Sequence, residues 1–298
     1  MSIIVSARAL TKRFCDTIAL DGVTLDIRAG ECVGLLGPNG AGKTTFLSLM
    51  EGLRAPTSGT VRLFDRDPRD PAARVRLGST PQATALPESL KVREVLAYVG
   101  AHYPAPTPVK RIVEEFDLGA LLDKQCGALS GGQQRRVALS LAFIGDPGLV
   151  LLDEPTTGLD VDARRALWDV VRARHAAGCA IVVTSHHLEE IEQLAQRVVV
   201  IAGGQVRADD TLAAIVASVA RRRVTLRGIA PDQIGAIDPA ASVAVEEDGR
   251  LTVVLADSDA LVRALVERRL PFADLTVRGA TLEEAFLTLT QGVAWCPA

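Results

Sequence analysis

Gly37-Pro38-Asn39-Gly40-Ala41-Gly42-Lys43-Thr44 decides the fold of this chain, because two glycines five positions apart precede a lysine and a hydroxyl. The stretch follows the apolar run Glu31 to Leu36, which predicts a buried strand, and it opens the helical pattern Lys43 to Glu51. Glycines let successive N–H groups turn inward, and the positive end of the following helix points at the same place. The arrangement predicts a phosphate-binding loop.

The side chains at the end of this loop have the chemistry that a bound polyphosphate needs. Lys43 can bridge β- and γ-phosphates, and the Thr44 hydroxyl is a hard oxygen ligand suited to Mg²⁺. Thr45 can donate a hydrogen bond to an α-phosphate oxygen. The predicted phosphate-binding residues are Gly37, Pro38, Asn39, Gly40, Ala41, Gly42, Lys43, Thr44 and Thr45.

Two adjacent carboxylates follow another predicted strand. The apolar run Leu149 to Leu152 leads directly into Asp153 and Glu154. Such a pair at the end of a buried strand is costly unless a metal ion or water chemistry uses it. We expect Asp153 to hold Mg²⁺ through water, and Glu154 to orient and polarise the attacking water.

Apolar runs and helical patterns alternate along the first 210 residues. Short apolar runs closed by glycine, proline or a polar turn predict buried parallel strands, and the stretches between them predict helices. The alternation indicates an α/β fold with a parallel-sheet core. The further strands are Ala180 to Thr184 and Val198 to Ala202, and the further helices are Gln133 to Phe143, Ala163 to Ala176 and Leu188 to Gln196.

The segment Leu129-Ser130-Gly131-Gly132-Gln133 narrows the protein class. A phosphate loop with an acidic strand end is shared by GTPases, kinases and many ATPases. Here a serine and two glycines stand just before a strong predicted helix, so their donors and the helix dipole are aimed outward at an anion. This is a second phosphate-binding turn, and it has no lysine.

With these motifs, the sequence resembles the nucleotide-binding subunit of an ATP-binding cassette (ABC) transporter. The resemblance implies a P-loop ATPase with a parallel-sheet core and a helical subdomain. It also implies that ATP lies between the phosphate loop of one subunit and the signature, Leu129–Gln133, of the other. A head-to-tail homodimer that uses ATP and Mg²⁺ is therefore expected.

Four further residues match the family's motifs in family order. Gln82 matches the Q-loop, which touches Mg²⁺ or the attacking water, and Asp160 matches the D-loop at the dimer contact. His186 matches the switch histidine at the γ-phosphate, whereas its neighbour His187 is expected to be structural. Phe14 stands where an aromatic stacks on adenine, although tyrosine is commoner there and a core aromatic is the alternative. The expected catalytic residues are Glu154, His186 and Gln82, and the expected metal ligands are Thr44, Gln82 and Asp153.

The chain is predicted to have a cassette and a small appended domain. The nucleotide-binding domain is placed at residues 1–210, with the helical subdomain at about 83–145. A linker helix follows at 211–222, and a small α/β domain at 223–298. The helices expected in the subdomain are Val92 to Gly100 and Lys110 to Phe116, and the linker pattern is Thr211 to Val219.

The C-terminal domain has its own local signals. Ser242 to Glu247 and Leu251 to Ala256 flank Asp248-Gly249, which predicts a β-hairpin. Thr281 with Glu284 three residues later predicts a helix that opens on a capping box. This tail resembles the C-terminal domain of the daunorubicin-type drug-exporter branch.

Composition excludes several classes of protein. The 298 residues are 48% hydrophobic and carry a net charge of −3, which argues against nonspecific nucleic-acid binding. The longest stretch without a charged side chain, Val95 to Val109, contains three prolines. A bilayer span takes about 18 or more apolar residues, so none is predicted. The beginning of the chain does not fit a secretory signal, and the five widely spaced cysteines fit neither a disulfide framework nor a zinc knuckle.

The resemblance therefore implies a separate transmembrane permease and a location at the cytoplasmic side of the membrane. The helical stretch from about Ala83 to Leu129 is the expected docking face, with Ser89 to Glu94 near the contact. The expected function is an ATPase that powers export of a drug-like or lipid-like small molecule. A soluble ABC ATPase acting on ribosomes or DNA is an alternative, although such proteins usually carry two cassettes or a long coiled coil. A different cargo, and a regulatory or dimerisation role for the C-terminal domain, also stay open.

Overall fold

The computed structural model describes residues 2–81, 85–218, 222–246 and 248–290. The chain divides into two compact units, one built on Met1–Leu212 and the other on Ala213–Thr288. Gln82, which the sequence places in the site, lies outside the described residues. No helix in the described ranges is both long and apolar enough to cross a bilayer.

The first unit alternates strands and helices. In chain order it contains β1 (Ile3–Phe14), β2 (Thr17–Arg28), β3 (Cys32–Leu36), α1 (Lys43–Met50), β4 (Ser58–Leu63), α2 (Pro71–Arg74), β5 (Leu77–Thr80), α3 (Val92–Gly100), α4 (Val109–Glu115), α5 (Gly131–Phe143), β6 (Leu149–Asp153), α6 (Val161–Ala176), β7 (Ala180–Thr184), α7 (Leu188–Leu194), β8 (Arg197–Ala202) and β9 (Gln205–Thr211).

The central sheet of this unit has the strand order β5-β6-β7-β3-β8-β9. Neighbouring strands from β5 through β8 are parallel, and β9 pairs antiparallel with β8. Every residue of β3, β6 and β7 is buried, as continuous apolar strands require when both sheet faces are covered. The four apolar runs predicted as parallel strands are confirmed to within one residue at each end.

The predicted helices are also confirmed, and their shifted ends have local causes. Helices α5 and α6 begin before the predicted Gln133 and Ala163, because Ser130 and Asp160 act as N-caps whose side chains accept the N–H groups of those residues. Helix α7 stops at Leu194, short of the predicted end, since the next residue is extended.

An antiparallel sheet of order β2-β1-β4 was not predicted from the sequence. Its strands alternate buried and exposed positions, so charged residues interrupt the apolar pattern that marked the parallel strands. Its inward residues, among them Val5 and Leu10, join one hydrophobic core with Leu35 of β3 and Phe46 of α1. The phosphate-loop helix is therefore anchored in the core shared by both sheets.

The described part of the chain between Leu212 and Thr290 includes a split β-α-β arrangement. It contains α8 (Leu212–Ser218), β10 (Arg222–Arg227), α9 (Pro231–Gly235), β11 (Ser242–Val245), β12 (Leu251–Leu255), α10 (Ser258–Glu267), β13 (Ala273–Arg278) and α11 (Leu282–Thr290). The four strands form an antiparallel sheet of order β11-β12-β10-β13. The predicted hairpin is confirmed as β11 and β12, and Thr281 and Glu284 exchange the hydrogen bonds of the predicted capping box.

Candidate active site

The carboxyl ends of neighbouring parallel strands bring the predicted site residues to one edge of the central sheet. Strand β3 runs into the phosphate loop, β6 ends at Asp153, and β7 ends at Thr184 just before His186. Strand β5, beside β6, ends one residue before Pro81. Ligands of open α/β sheets bind at this edge, so the topology supplies the site.

The phosphate loop depends on glycine at positions where any side chain would collide with backbone. Gly42 has φ +106°, and a Cβ there would lie 2.3 Å from the carbonyl oxygen of Ala19. A Cβ on Gly37 would lie 2.2 Å from the carbonyl oxygen of Ile201. Because Gly42 is the N-cap of α1 and provides no capping side chain, the first N–H groups of the helix are available to an anion.

Lys43 is folded onto its own loop. Its ammonium donates hydrogen bonds to the carbonyl oxygens of Gly37 at 2.5 Å and Pro38 at 3.2 Å. Burial lowers the pKa of Lys43, and the charges of Glu154 and Asp153 act in the opposite direction. The lysine therefore lies in the electrostatic field of both strand-end carboxylates, at the loop predicted to bind phosphate.

Asp153 is held by hydroxyl groups from two directions. Thr184 on β7 donates from Oγ1 to Asp153 Oδ1 at 2.5 Å, and Thr44 on α1 donates from Oγ1 to Oδ2 at 3.1 Å. The aspartate is 6% exposed. Its carboxylate and the Thr44 hydroxyl together form a hard oxygen donor set of the kind that Mg²⁺ prefers.

Glu154 has an unusual backbone conformation and a histidine neighbour. Its φ is +48°, which is uncommon for a residue other than glycine. Its N–H donates to both the carbonyl oxygen and the Oγ1 of Thr184, each at 3.1 Å. Oε2 of Glu154 lies 3.3 Å from Nδ1 of the half-exposed His186, so the predicted water-orienting residue and the predicted γ-phosphate sensor are adjacent.

His187 packs its ring against that of His186, with the centroids 4.1 Å apart. It is the N-cap residue of α7. Burial, followed by the neighbouring charges of His186 and Arg164, lowers its pKa.

A cavity of about 330 Å³ adjoins the loop. Phe14, Thr44, Thr45 and Asp153 line it, which places the predicted adenine-stacking residue in the same cavity as the loop hydroxyls. The Phe14 ring is half-buried and has two cations near it, Lys12 and Arg54, at 5.1 and 5.0 Å from the ring centroid.

The signature turn is exposed and satisfied locally. Ser130 Oγ accepts the N–H of Gln133 at 3.3 Å, and Gln133 Oε1 accepts the N–H of Ser130 at 3.2 Å. Leu129 anchors the turn at 6% exposure, whereas Ser130 and Gly131 are exposed. Within the described ranges, these signature side chains make no hydrogen bond or ion pair with the phosphate loop of the same chain.

Asp160 has a structural task in addition to its predicted place at a dimer contact. Its Oδ1 accepts the N–H of Ala163 at 2.8 Å and so caps helix α6. The preceding Gly158 has φ +78°, and its carbonyl oxygen would lie 3.3 Å from a Cβ on Gly132. The signature and the D-loop segment of one chain therefore pack side by side.

Sequence reasoning missed three polar residues around the site. Glu51 at the end of α1 accepts a hydrogen bond from Ser79 of β5 and lines the cavity. Arg135 of α5 binds backbone carbonyls at the ends of β5 and β6. The fully buried Glu190 accepts from Thr156 at 3.1 Å. Each lies inside a correctly predicted helix or next to its end. The sequence alone does not show that such a polar residue is buried rather than exposed on the helix surface.

Comparison with known proteins gives consistent matches. The family model described as ABC transporter matches residues 20–157, and a model described as an AAA domain matches residues 126–192. A Nod factor export ATP-binding protein I of Burkholderia lata is 36% identical over 293 residues, which cover 95% of each chain. A daunorubicin resistance ATP-binding protein of Streptomyces coeruleorubidus is 36% identical over 94% of this chain and 93% of its own length.

A solved structure shares the fold of most of this chain. It is a dimeric, post-hydrolysis state of an ATP-binding cassette with bound ADP and inorganic phosphate. It superposes with a TM-score of 0.63 at 25% identity, over 70% of this chain and 99% of the cassette. Together with the full-length relatives and the phosphate-loop geometry, this shows that the chain belongs to the ABC transporter family, as an ATP-binding and ATP-hydrolysing cassette.

Proposed function

We propose that this chain binds ATP with Mg²⁺ on the loop Gly37–Thr45 and hydrolyses it, with Glu154 orienting the attacking water. The observation that supports this best is that the carboxyl ends of the neighbouring strands β6, β7 and β3 lie side by side. Thr44 Oγ1 lies 3.1 Å from Asp153 Oδ2, and Glu154 Oε2 lies 3.3 Å from His186 Nδ1. Hydroxyl, carboxylate and imidazole thus stand beside a helix N-terminus that can hold phosphate.

The donor set fits Mg²⁺. Thr44 and Asp153 provide hard oxygen ligands, and Gln82 is the third ligand that the sequence predicts. When bound, the ion supplies charge neutralisation at the β- and γ-phosphates. Thr184 contributes indirectly, because its hydroxyl fixes the other oxygen of Asp153 and leaves Oδ2 facing Thr44.

The remaining side chains bind and orient. Lys43 exchanges the loop carbonyls for β- and γ-phosphate oxygens, since a phosphate is a stronger acceptor for its ammonium. Glu154 accepts a hydrogen bond from the attacking water and turns it toward the γ-phosphate, while His186 contacts that phosphate from the end of β7. Phe14 offers its ring to adenine at the other end of the cavity.

A head-to-tail homodimer completes two sites. The exposed turn of Ser130 and Gly131 and the N-terminus of α5 present an anion-binding surface that the chain's own phosphate loop does not use. In the proposed dimer, Leu129–Gln133 contact the ATP of the partner subunit, and Asp160 lies at the contact between subunits. The dimeric state of the related cassette supports this arrangement.

The partner that receives the energy of hydrolysis is a separate transmembrane permease, with this chain at the cytoplasmic side of the membrane. We place its docking face on the helical stretch 83–129, with Ser89–Glu94 near the contact. The relatives are named for Nod factor export and daunorubicin resistance, which supports export of a drug-like or lipid-like small molecule. We propose no nucleic-acid partner, since a net charge of −3 provides no basic surface for one. The proposed domains are 1–210, the linker helix 211–222 and the accessory domain 223–298.

Glu154→Gln tests the proposal. The amide keeps the size of the side chain but does not take up the water proton, so ATP turnover is expected to fall to background while an ATP-dependent dimer accumulates. The control is Glu114→Gln, because that carboxylate is 66% exposed and lies outside the site. Hydrolysis at the wild-type rate by Glu154→Gln would contradict the catalytic assignment, and a variant that stays monomeric with ATP would contradict the dimer.

A further inference from the structure

Arg135 is a buried cation that none of the steps above uses. It lies on α5, just after the signature turn, and is 8% exposed. Four of the carbonyl oxygens to which its guanidinium donates lie in the described ranges: Pro81 at 2.8 Å, Asp153 at 2.8 Å, Glu154 at 2.9 Å and Pro155 at 3.2 Å. One side chain thus joins the signature helix to the ends of two strands that form the site.

Burying this charge is costly, so its acceptors and surroundings have to compensate. Burial lowers the pKa of Arg135, and the carboxylates of Asp153, Glu154 and Glu190 act in the opposite direction. The planar guanidinium has five N–H donors in a fixed fork, which can serve several carbonyls at once. An ammonium on a flexible stem cannot occupy the same four positions, so lysine is not an equivalent residue here.

Arg135 binds the backbone of Glu154, the site residue with an uncommon backbone conformation. Glu154 has φ +48°, a conformation that persists only where surrounding contacts impose it. The Glu154 N–H is fixed by Thr184 and its carbonyl by Arg135, so this strained residue is held on both sides. Pro81, the other important acceptor, immediately precedes Gln82 in the sequence.

We propose that Arg135 is a positioning residue that couples the signature helix α5 to the hydrolytic glutamate and the Q-loop of its own chain. The inference rests on the proposed function, because it takes Glu154 as the residue that orients water. In the proposed dimer, α5 contacts the ATP of the partner subunit. A shift of α5 on nucleotide binding at one site therefore moves the Glu154 backbone that serves the other site, and Arg135 links the two sites.

Arg135→Lys tests the coupling, with Arg136→Lys as its matched control. Arg136 is the next residue on the same helix, but its ion-pair partner is the 87% exposed carboxylate of Asp117 at 3.1 Å, which a lysine can also reach. Purified chains are assayed for thermal unfolding, ATP affinity, kcat and the Hill coefficient for ATP. Arg135→Lys is expected to bind ATP normally, because the phosphate loop is untouched.

Its kcat is expected to fall about tenfold to a hundredfold, as a small misplacement of a reacting group does. Its Hill coefficient is expected to move toward one, which a merely structural role does not predict for a folded variant. Arg136→Lys should match wild type in all four measurements. A folded Arg135→Lys chain with wild-type kcat and Hill coefficient overturns the proposal, and so does an equal loss in both lysine variants.

Two further variants keep the test decisive. Arg135→Gln retains donors for one or two carbonyls and is measured in parallel; failure of both Arg135 variants to fold overturns the proposal in favour of a structural role. Glu154→Gln separates this inference from the proposed function. If Glu154→Gln hydrolyses ATP normally, the catalytic assignment has failed; if it is inactive while Arg135→Lys behaves as wild type, the coupling alone has failed.

Discussion

Oγ1 of Thr44 lies 3.1 Å from Oδ2 of Asp153, so the first turn of α1 and the end of β6 meet at one pair of oxygen atoms. The other carboxylate oxygen, Oδ1, accepts the hydroxyl of Thr184 at 2.5 Å. One oxygen of Asp153 is therefore fixed by the neighbouring strand, and the other faces the phosphate loop. This division of tasks makes Thr184 an orienting residue for the proposed Mg²⁺ site.

Thr184→Val is expected to raise the Mg²⁺ concentration for half-maximal ATPase activity by about 10- to 100-fold, because residues that orient metal ligands typically contribute that much to metal affinity. Thr80→Val is the matched control. Its hydroxyl is also buried at a strand end, on β5, and Thr80 Oγ1 has no hydrogen-bond partner among the residues that the structure describes. It should keep the wild-type Mg²⁺ dependence. Titration of activity with Mg²⁺ measures both, and equal curves for the two variants would refute the orienting role.

Lys43→Ala is expected to weaken ATP binding by roughly tenfold to a hundredfold, the loss of one or two charge-assisted hydrogen bonds worth about 1.5–3 kcal/mol. A fluorescent ATP analogue titrated into the apo protein measures the affinity without turnover. Lys110→Ala serves as the control, because that ammonium is 88% exposed on α4. Wild-type hydrolysis by Lys43→Ala would show that the phosphate-loop assignment is wrong.

Glu51→Gln is expected to change how the free energy of unfolding depends on pH. Burial raises the pKa of Glu51 from its ordinary 4.5, with the Ser79 hydrogen bond acting the other way and Asp153 adding to the rise. The unfolded carboxyl loses its proton at lower pH than the folded one. The free energy of unfolding of the wild type therefore falls as the pH rises from about 4.5 through the raised pKa of Glu51, and it stays level at higher pH.

The glutamine variant lacks this fall, while its amide oxygen can still accept the Ser79 hydroxyl. The two proteins should unfold alike in acid, and Glu51→Gln should be the more stable one at neutral pH. Chemical denaturation at a series of pH values, without nucleotide, measures the difference. Glu114→Gln, at an exposed site, should show no such divergence. A constant difference between wild type and Glu51→Gln across the pH range would contradict the expectation.

The alkylation rate of Cys15 can be used to detect ATP in the cavity that Phe14 lines. Cys15 is exposed beside Phe14, whereas burial raises the pKa of Cys32 and of Cys179 to about 12 and so suppresses their thiolate forms. Iodoacetamide should therefore modify Cys15 much faster than Cys32 or Cys179, as read by peptide mass spectrometry. If adenine stacks on Phe14, ATP should slow the alkylation of Cys15.

Phe14→Leu provides the control for that protection. The leucine fills similar space without an aromatic face, so ATP should protect Cys15 less in this variant at saturating nucleotide. Equal protection with and without the ring would argue that Phe14 is only a core aromatic. The unreactive pair, Cys32 and Cys179, serves as the internal reference in every digest.

Much of the site could be predicted because its elements are local. The loop Gly37–Thr44 is recognisable from the spacing of its glycines ahead of Lys43 and Thr44. The continuously apolar run that ends at Asp153 predicts a buried strand. The spacing of Ser130 and Gln133 predicts a helix cap. By contrast, the antiparallel sheet of β1, β2 and β4 was not predicted. Many of its side chains face outward and are polar, so its strands do not appear in the sequence as continuous apolar runs.

The sequence by itself determined the phosphate loop, the acidic strand end and the signature, since each is a short motif whose chemistry depends on neighbouring residues. Only the tertiary structure decided which distant groups support them. Parallel register sets Thr184 beside Asp153, and the packing of α5 brings Arg135 to the carbonyl of Pro81, 54 positions away along the chain. Such contacts follow from how strands and helices are stacked, so no local pattern around Arg135 or Thr184 encodes them.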